Sequence, residues 1–173
     1  MAQILRAVEA DAPRIRQLME LSVISLPSRD WFVDDDLPYI LRHMEEEGYI
    51  LKYLTDDQVL AGYVMVRWPG ASPDNLGCYL NLPPEEYRSV AHIESTSVDP
   101  AFRGQKIFRS LLGAAIGKER DDPGIRYLMA TVHPDNRYSK DILSEAGFIS
   151  AAAVRKYGGL DRIVMYMPIS KML

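Results

Sequence analysis

Apolar positions along the chain switch between two spacings, and the switches mark the elements. Residues 3–8, QILRAV, read as a short strand. In ADAPRIRQLMELSVI, Ile15, Leu18, Met19 and Leu21 or Ser22 recur every three to four positions, which predicts a helix with Asp11 as its N-cap. LPSRDWF breaks it. DDDLPYILRHMEEEG then reads as a second helix, acidic at its start and ended by Gly48. YILKYLT and VLAGYVMVRW are β-like runs around the turn DDQ, which suggests a hairpin. Residues 69–90 are the least regular part, with one helical turn expected at 84–90. AHIESTSVDP alternates with period two and predicts a strand. RGQKIFRSLLGAAIGKERDDPG predicts a helix stopped by Pro123-Gly124. IRYLMATVHPDN reads as a strand, RYSKDILSEAGF as a helix closed by Gly147, and ISAAAVRKYGG with LDRIVMYMPI as two strands around Gly158-Gly159.

The resulting order is β-α-α-β-β-β-α-β-α-β-β. It describes an α/β (α+β layered) domain, with helices on a mixed sheet. Strict βαβ alternation is missing, so a doubly wound fold is not expected. The segment 91–131 does form a β-α-β unit with parallel strands.

Composition narrows the possibilities. The 173 residues are 47% hydrophobic and 25% charged, which suits a single domain over 1–173 with a sizeable core. A net charge of −4 argues against nucleic-acid binding. Cys78 is the one cysteine, so no disulfide framework exists and a cytoplasmic location is expected. The start, MAQILRAVEADAPRI, has no long apolar run, so neither a signal peptide nor a membrane span is expected there. Three histidines and one cysteine are scattered without metal-ligand spacing.

The stretch from Ser97 to Leu112, SVDPAFRGQKIFRSLL, carries the first chemical signal. A strand ends at a proline, turns through Arg103-Gly104 and opens into a helix. The first turn of a helix leaves backbone N–H groups without partners, and the macrodipole makes that end attractive to anions. Gly104 allows a tight turn and a close ligand. Arg103, Lys106 and Arg109 add positive charge. The plainer reading is an amphipathic helix with Ile107, Leu111 and Leu112 turned to the core. A second strand–helix junction, TVHPDNRYSKDILSEAGF, places Asn136 at the helix start, where it can cap the helix or bind a ligand. No Walker or G-x-G-x-x-G pattern occurs.

Between His92 and Phe148 the chain resembles the GNAT superfamily of N-acetyltransferases, with a likeness to one bacterial subgroup through AHIES, DNRYS and KYGGL. That family has a Val-x-Pro strand end followed by an Arg/Gln-x-x-Gly-x-Gly/Ala loop, and Val98, Pro100, Arg103 and Gly104 stand in matching positions. Asn136 and Ser139 match its Asn-x-x-Ala/Ser helix start, and EAGF its Gly-Phe close. The resemblance implies a mixed, mostly antiparallel sheet of about seven strands with helices on both faces. It implies acetyl-CoA as co-substrate and no metal. Its pyrophosphate would lie on the N–H groups of Arg103, Gly104, Gln105, Lys106, Ile107 and Phe108. The pantetheine arm would follow Ser97 and Val98, with Asn136 and Ser139 contributing from the second junction. Lys106 and Phe108 stand where the family keeps small residues. Leu143 stands where it often has a tyrosine as general acid.

Acetyl transfer to an amine needs a base for the amine proton and a donor that polarises the thioester carbonyl, a part that the resemblance gives to the Val98 N–H. Strand alternation puts His92, Glu94, Thr96 and Val98 on one face and Ile93, Ser95 and Ser97 on the other. His92 and Glu94 are therefore the candidate bases, against the reading that they only bond each other. Tyr157 could reach in from the sixth strand as acid, against simple packing beside the glycine turn.

Other features are read plainly. Asp34, Asp35 and Asp36 form a helix-start charge cluster, against the reading that they attract a cationic amine substrate; His43 is an exposed helix residue, and His133 is structural rather than a ligand. Trp31, Phe32, Trp68 and Tyr79 are core aromatics or line an acceptor pocket, and 69–90 could serve as a lid. The functional expectation is an acetyl-CoA-dependent N-acetyltransferase that moves acetyl directly to a primary amine of a small molecule or peptide. The alternative is a catalytically weak acyl-CoA-binding regulatory module. Partners are the amine acceptor and, through the last two strands, a second copy of the chain.

Overall fold

The structure is a computed structural model that describes residues 1–169. Seven strands, β1 (Gln3–Arg6), β2 (Gly48–Leu54), β3 (Leu60–Arg67), β4 (Val90–Val98), β5 (Tyr127–Val132), β6 (Ile149–Lys156) and β7 (Leu160–Pro168), belong to one sheet in the order β1-β2-β3-β4-β5-β7-β6. Four α-helices accompany them: α1 (Ala12–Ser25), α2 (Leu37–Glu45), α3 (Ile107–Asp121) and α4 (Arg137–Ala146). The expected order is observed, including the helical turn at 84–89, with further short 3-10 turns at 9–11, 29–31, 76–80 and 100–102. By internal contacts the chain divides into two compact units, residues 1–67 with 95–115, and residues 68–94 with 116 onward.

In the first unit β1, β2 and β3 form an antiparallel meander, with Ile4 opposite Tyr53 and Ile50 opposite Met65. α1 and α2 cover a core that includes Ile15, Leu18, Met19, Ile40, Tyr63 and Met65. Asp36 caps α2 by accepting from the Tyr39 N–H at 2.9 Å, and Pro38 occupies the first turn, where its missing N–H costs nothing. Asp34 instead pairs with Arg16 at 3.0 Å.

Two expectations need correction here. Asp11 makes no side-chain cap bond to α1. Its carboxylate turns back to the Val8 N–H at 2.8 Å and to the Lys52 ammonium at 2.7 Å, a charged partner that outcompetes a neutral N–H. His43 is buried, not exposed. Its Nδ1 lies 2.7 Å from the Tyr39 carbonyl one helical turn back, and its ring stacks on Tyr39 at 4.1 Å.

In the second unit β4 and β5 run parallel, in register from Val90↔Tyr127 to His92↔Met129. Both strands continue past that ladder, β4 to Val98 and β5 to Val132. β5 pairs antiparallel with β7, and β7 with β6. Leu76, Val90, Met129 and Val164 form the centre of a core completed by Tyr79, Leu82 and Tyr166.

Candidate active site

The alternation read along β4 is observed. Ser95 and Ser97 are buried, whereas Glu94, Thr96 and Val98 are partly exposed. The buried serines enter a hydroxyl network. The Tyr63 hydroxyl lies 2.6 Å from Ser95 Oγ and donates to Ser97 Oγ at 3.4 Å, and Ser22 Oγ donates to Ser97 at 2.8 Å. Burial drives the Tyr63 pKa far up, more than its serine partners lower it, so the phenol stays protonated. The Ser97 side chain therefore faces the interior, and its backbone is the part that can meet a ligand.

Past Val98 the chain turns sharply. The Asp99 N–H donates to the Ala61 carbonyl at 2.8 Å, which fixes the strand end beside β3. Its carboxylate accepts from the Ala101 N–H at 2.9 Å and from Arg14 at 2.6 Å. Burial alone would raise the Asp99 pKa, but these donors outweigh it and hold the carboxyl below its usual range. The expected start of the third long helix moves as a result. Residues 100–102 form a 3-10 turn, Arg103 is extended, and α3 starts at Ile107. The Arg103 N–H reaches back to the Pro100 carbonyl at 3.4 Å, and its guanidinium donates to Ser25 Oγ at 2.6 Å.

Two left-handed residues make the turn into α3. Gly104 has φ +82° and a position for Cβ with nothing within 4 Å. Lys106 has φ +59°, a conformation that suits glycine and costs a residue with a side chain. The first i→i−4 bond runs from the Ser110 N–H to the Lys106 carbonyl at 3.0 Å, so α3 itself uses no N–H group from residues 104–107. Gly62 on β3 permits this approach. A Cβ there would lie 3.0 Å from the Ser97 carbonyl and 3.1 Å from Ile107 Cγ2.

His92, Glu94, Asn136, Ser139 and Tyr157 lie in the second unit. His92 is 3% exposed, and its Nε2 accepts from the Leu76 N–H at 3.1 Å. That bond places the ring proton on Nδ1, which lies 3.6 Å from Glu94 Oε2. His92 and Glu94 thus share a face as expected. Asn75 sets the Leu76 amide. The fully buried Asn75 side chain donates to the Gly70 and Tyr87 carbonyls at 2.8 and 3.0 Å and accepts from the Gly77 N–H at 2.8 Å. Sequence reasoning passes over Asn75 because its partners are up to twelve residues away and carry no side-chain pattern.

Tyr157 lies one residue beyond β6, in the hairpin turn rather than on the strand, with φ +54°. Its ring is half exposed, and its hydroxyl lies 3.2 Å from Thr131 Oγ1. Its pKa is raised, first by burial of the phenol and then by the charges of Glu94 and Asp74, against the Thr131 bond and the Arg162 charge. At the second junction Asn136 Oδ1 accepts from the Ser139 N–H at 3.2 Å, so Asn136 caps α4. Leu143 is buried in α4 and contributes packing only. Among the described residues no group of three or more His, Cys, Asp or Glu is placed to hold a metal, and no helix is long and apolar enough to cross a membrane.

A seven-stranded, mostly antiparallel sheet, with a glycine-turned helix start after its central strand, defines an acetyltransferase architecture. The profile of the acetyltransferase (GNAT) family matches residues 15–148, and the chain belongs to that family and to the acyltransferase class of enzymes. Solved structures share the fold. The ribosomal-protein-S18-alanine N-acetyltransferase from Escherichia coli superposes with a TM-score of 0.72 at 18% identity, covering 98% of this chain and 95% of its own. The yncA protein of Salmonella typhimurium, solved with its cofactor acetyl-CoA, gives 0.71 at 21%, covering 100% and 96%. A phosphinothricin acetyltransferase from Sinorhizobium meliloti, in complex with acetyl-CoA, gives 0.72 at 20%, covering 98% and 89%. No curated protein sequence matches the chain.

Proposed function

We propose that the chain is an acetyl-CoA-dependent N-acetyltransferase that moves an acetyl group to a primary amine of a small molecule or peptide by direct transfer in a ternary complex. Residues 1–173 act as one catalytic domain in the cytoplasm. The observation that carries this reading is the start of α3, where Gly104 and Lys106 turn the backbone and the helical ladder uses no N–H group of residues 104–107. Such a helix start suits a diphosphate, and the family match gives it acetyl-CoA. Arg103 and Lys106 add cationic charge at the same place. The backbone of Ser97 and Val98 pairs with the pantetheine arm, and Asn136 and Ser139 contribute from the α4 start.

Acetyl-CoA supplies an acetyl group activated as a thioester. The chain's own groups handle the protons. Glu94, whose Oε2 lies 3.6 Å from His92 Nδ1, takes the proton of the acceptor amine directly or through water. The Val98 N–H polarises the carbonyl under attack. The Tyr157 hydroxyl, on Thr131, gives its proton to the departing sulfur. The raised pKa of Tyr157 keeps that proton in place at neutral pH.

The test is calorimetric titration with acetyl-CoA, followed by thiol release across a panel of primary amines. Binding with turnover of at least one amine is expected. Lys106 and Phe108 at small-residue positions, with Leu143 in place of a tyrosine, favour one second reading, an acyl-CoA-binding regulatory module. Tight binding without turnover across the panel would establish it. No stabilisation by acetyl-CoA or CoA in a thermal-shift titration would remove both readings.

A further inference from the structure

Arg162 on β7 is only 3% exposed, and the proposed transfer gives it no task. A buried guanidinium is unfavourable unless its surroundings answer the charge. One Nη atom donates to the Asp161 carbonyl at 2.7 Å. Its Cζ lies 5.5 Å from the centre of the Tyr157 ring, within the range of a cation–π contact. The Lys156 ammonium lies 5.7 Å from the same ring and 5.6 Å from the ring of Tyr79. The Tyr157 backbone is left-handed, a conformation that persists only where surrounding contacts enforce it. A half-exposed turn residue is thus held at its ring by cations and at its hydroxyl by Thr131.

We propose that Arg162 is the positioning residue of Tyr157, clamping the ring by its buried guanidinium so that the phenol stays on Thr131 and points one way. The inference rests on the reading of Tyr157 as the acid. Glu94 from β4, Thr131 from β5, Arg162 from β7 and Asp74 from the β3–β4 connection act on the hydroxyl, while Lys156 lies over the ring and over that of Tyr79. Glu94 and Asp74 push the phenol towards its neutral form, and Arg162 is the cation that opposes them. Loss of Arg162 therefore moves the titration of Tyr157 to higher pH.

The experiment compares wild type, Arg162→Met, Arg162→Gln, Arg162→Lys and Tyr157→Phe, with Tyr157→Phe also combined with each Arg162 variant. Tyrosinate absorbance is titrated without substrate, and each protein is read against its Tyr157→Phe counterpart, which isolates one phenol among ten tyrosines. A higher midpoint in Arg162→Met, with recovery in Arg162→Lys, is expected; equal midpoints overturn the proposal. Should Arg162→Met not fold by circular dichroism, Arg162→Gln, which keeps a donor for the Asp161 carbonyl, reads the same shift. In turnover, Arg162→Met should lower kcat about tenfold with little change in KM for acetyl-CoA, and move the alkaline limb of the pH profile upward. In the Tyr157→Phe background the same exchange should change kcat less than about twofold. An equal loss in both backgrounds overturns positioning. A Tyr157→Phe enzyme with full kcat removes the acid role itself, and the substrate-free titration still decides whether Arg162 governs the phenol.

Discussion

The two strand-to-helix junctions look alike in sequence and use their backbone donors differently. At the start of α4 the chain satisfies itself, because Asn136 Oδ1 takes the Ser139 N–H. At the start of α3 the first i→i−4 bond runs from the Ser110 N–H to the Lys106 carbonyl. Asp99 is spent earlier, on Ala101 and Arg14, and the turn is made by Gly104 and Lys106 with positive φ. A capped helix start is complete as folded. At the α3 start the cost falls on Lys106, whose left-handed backbone carries a side chain. The proposed roles divide in the same way: the backbone groups of Ser97, Val98 and residues 104–107 fall in the first unit, and the side chains of His92, Glu94 and Tyr157 in the second.

That contrast breaks most readily at Glu94. Glu94→Gln should lower kcat by about 10²–10⁴ while KM for acetyl-CoA stays within about twofold, in a steady-state thiol-release assay. A change confined to KM would put Glu94 on the binding side instead. Next in size is Tyr63→Phe, which removes the shared hydroxyl between Ser95 and Ser97. It should cost about 1–3 kcal/mol in urea unfolding, with kcat little changed. A catalytic loss without destabilisation would mean that the hydroxyl network acts in the chemistry. Gly62→Ala should weaken acetyl-CoA binding about tenfold, roughly 1.4 kcal/mol by calorimetry, because its Cβ would press on the Ser97 carbonyl and on Ile107. Unchanged affinity would detach the α3 start from the ligand. The smallest effect is expected of Lys106→Gly. It relieves a left-handed side chain but adds unfolded-state freedom, so stability should rise by no more than about 1 kcal/mol in thermal unfolding. A clear loss would show that the lysine side chain, not its backbone, shapes the turn.

Much of the fold is legible in the sequence because hydrophobic spacing records burial directly. Ile15, Leu18 and Met19 mark α1, and the β4 alternation separates Ser95 and Ser97 from Glu94 and Val98 by spacing alone. What escapes depends on partners distant in the chain or on backbone angles. Asp11 reads as the cap of the nearest helix, but Lys52 lies forty-one residues on. His43 reads as exposed because a polar residue on a helix usually is; in the interior its Nδ1 meets a carbonyl one turn back and its Nε2 lies 3.4 Å from Glu47 Oε2. The spacing starts α3 near Arg103, since nothing in RGQK announces that Lys106 takes a positive φ. Candidate site residues are found by type and spacing. The groups that contact them, the Leu76 amide, Thr131 and Arg162, carry no motif.

The three hydrogen bonds of Asn75 tie residues 70, 77 and 87 to one planar amide. One planar group thus sets the spacing of three stretches of an otherwise irregular connection, and the Leu76 amide that meets the His92 imidazole is held between two of them.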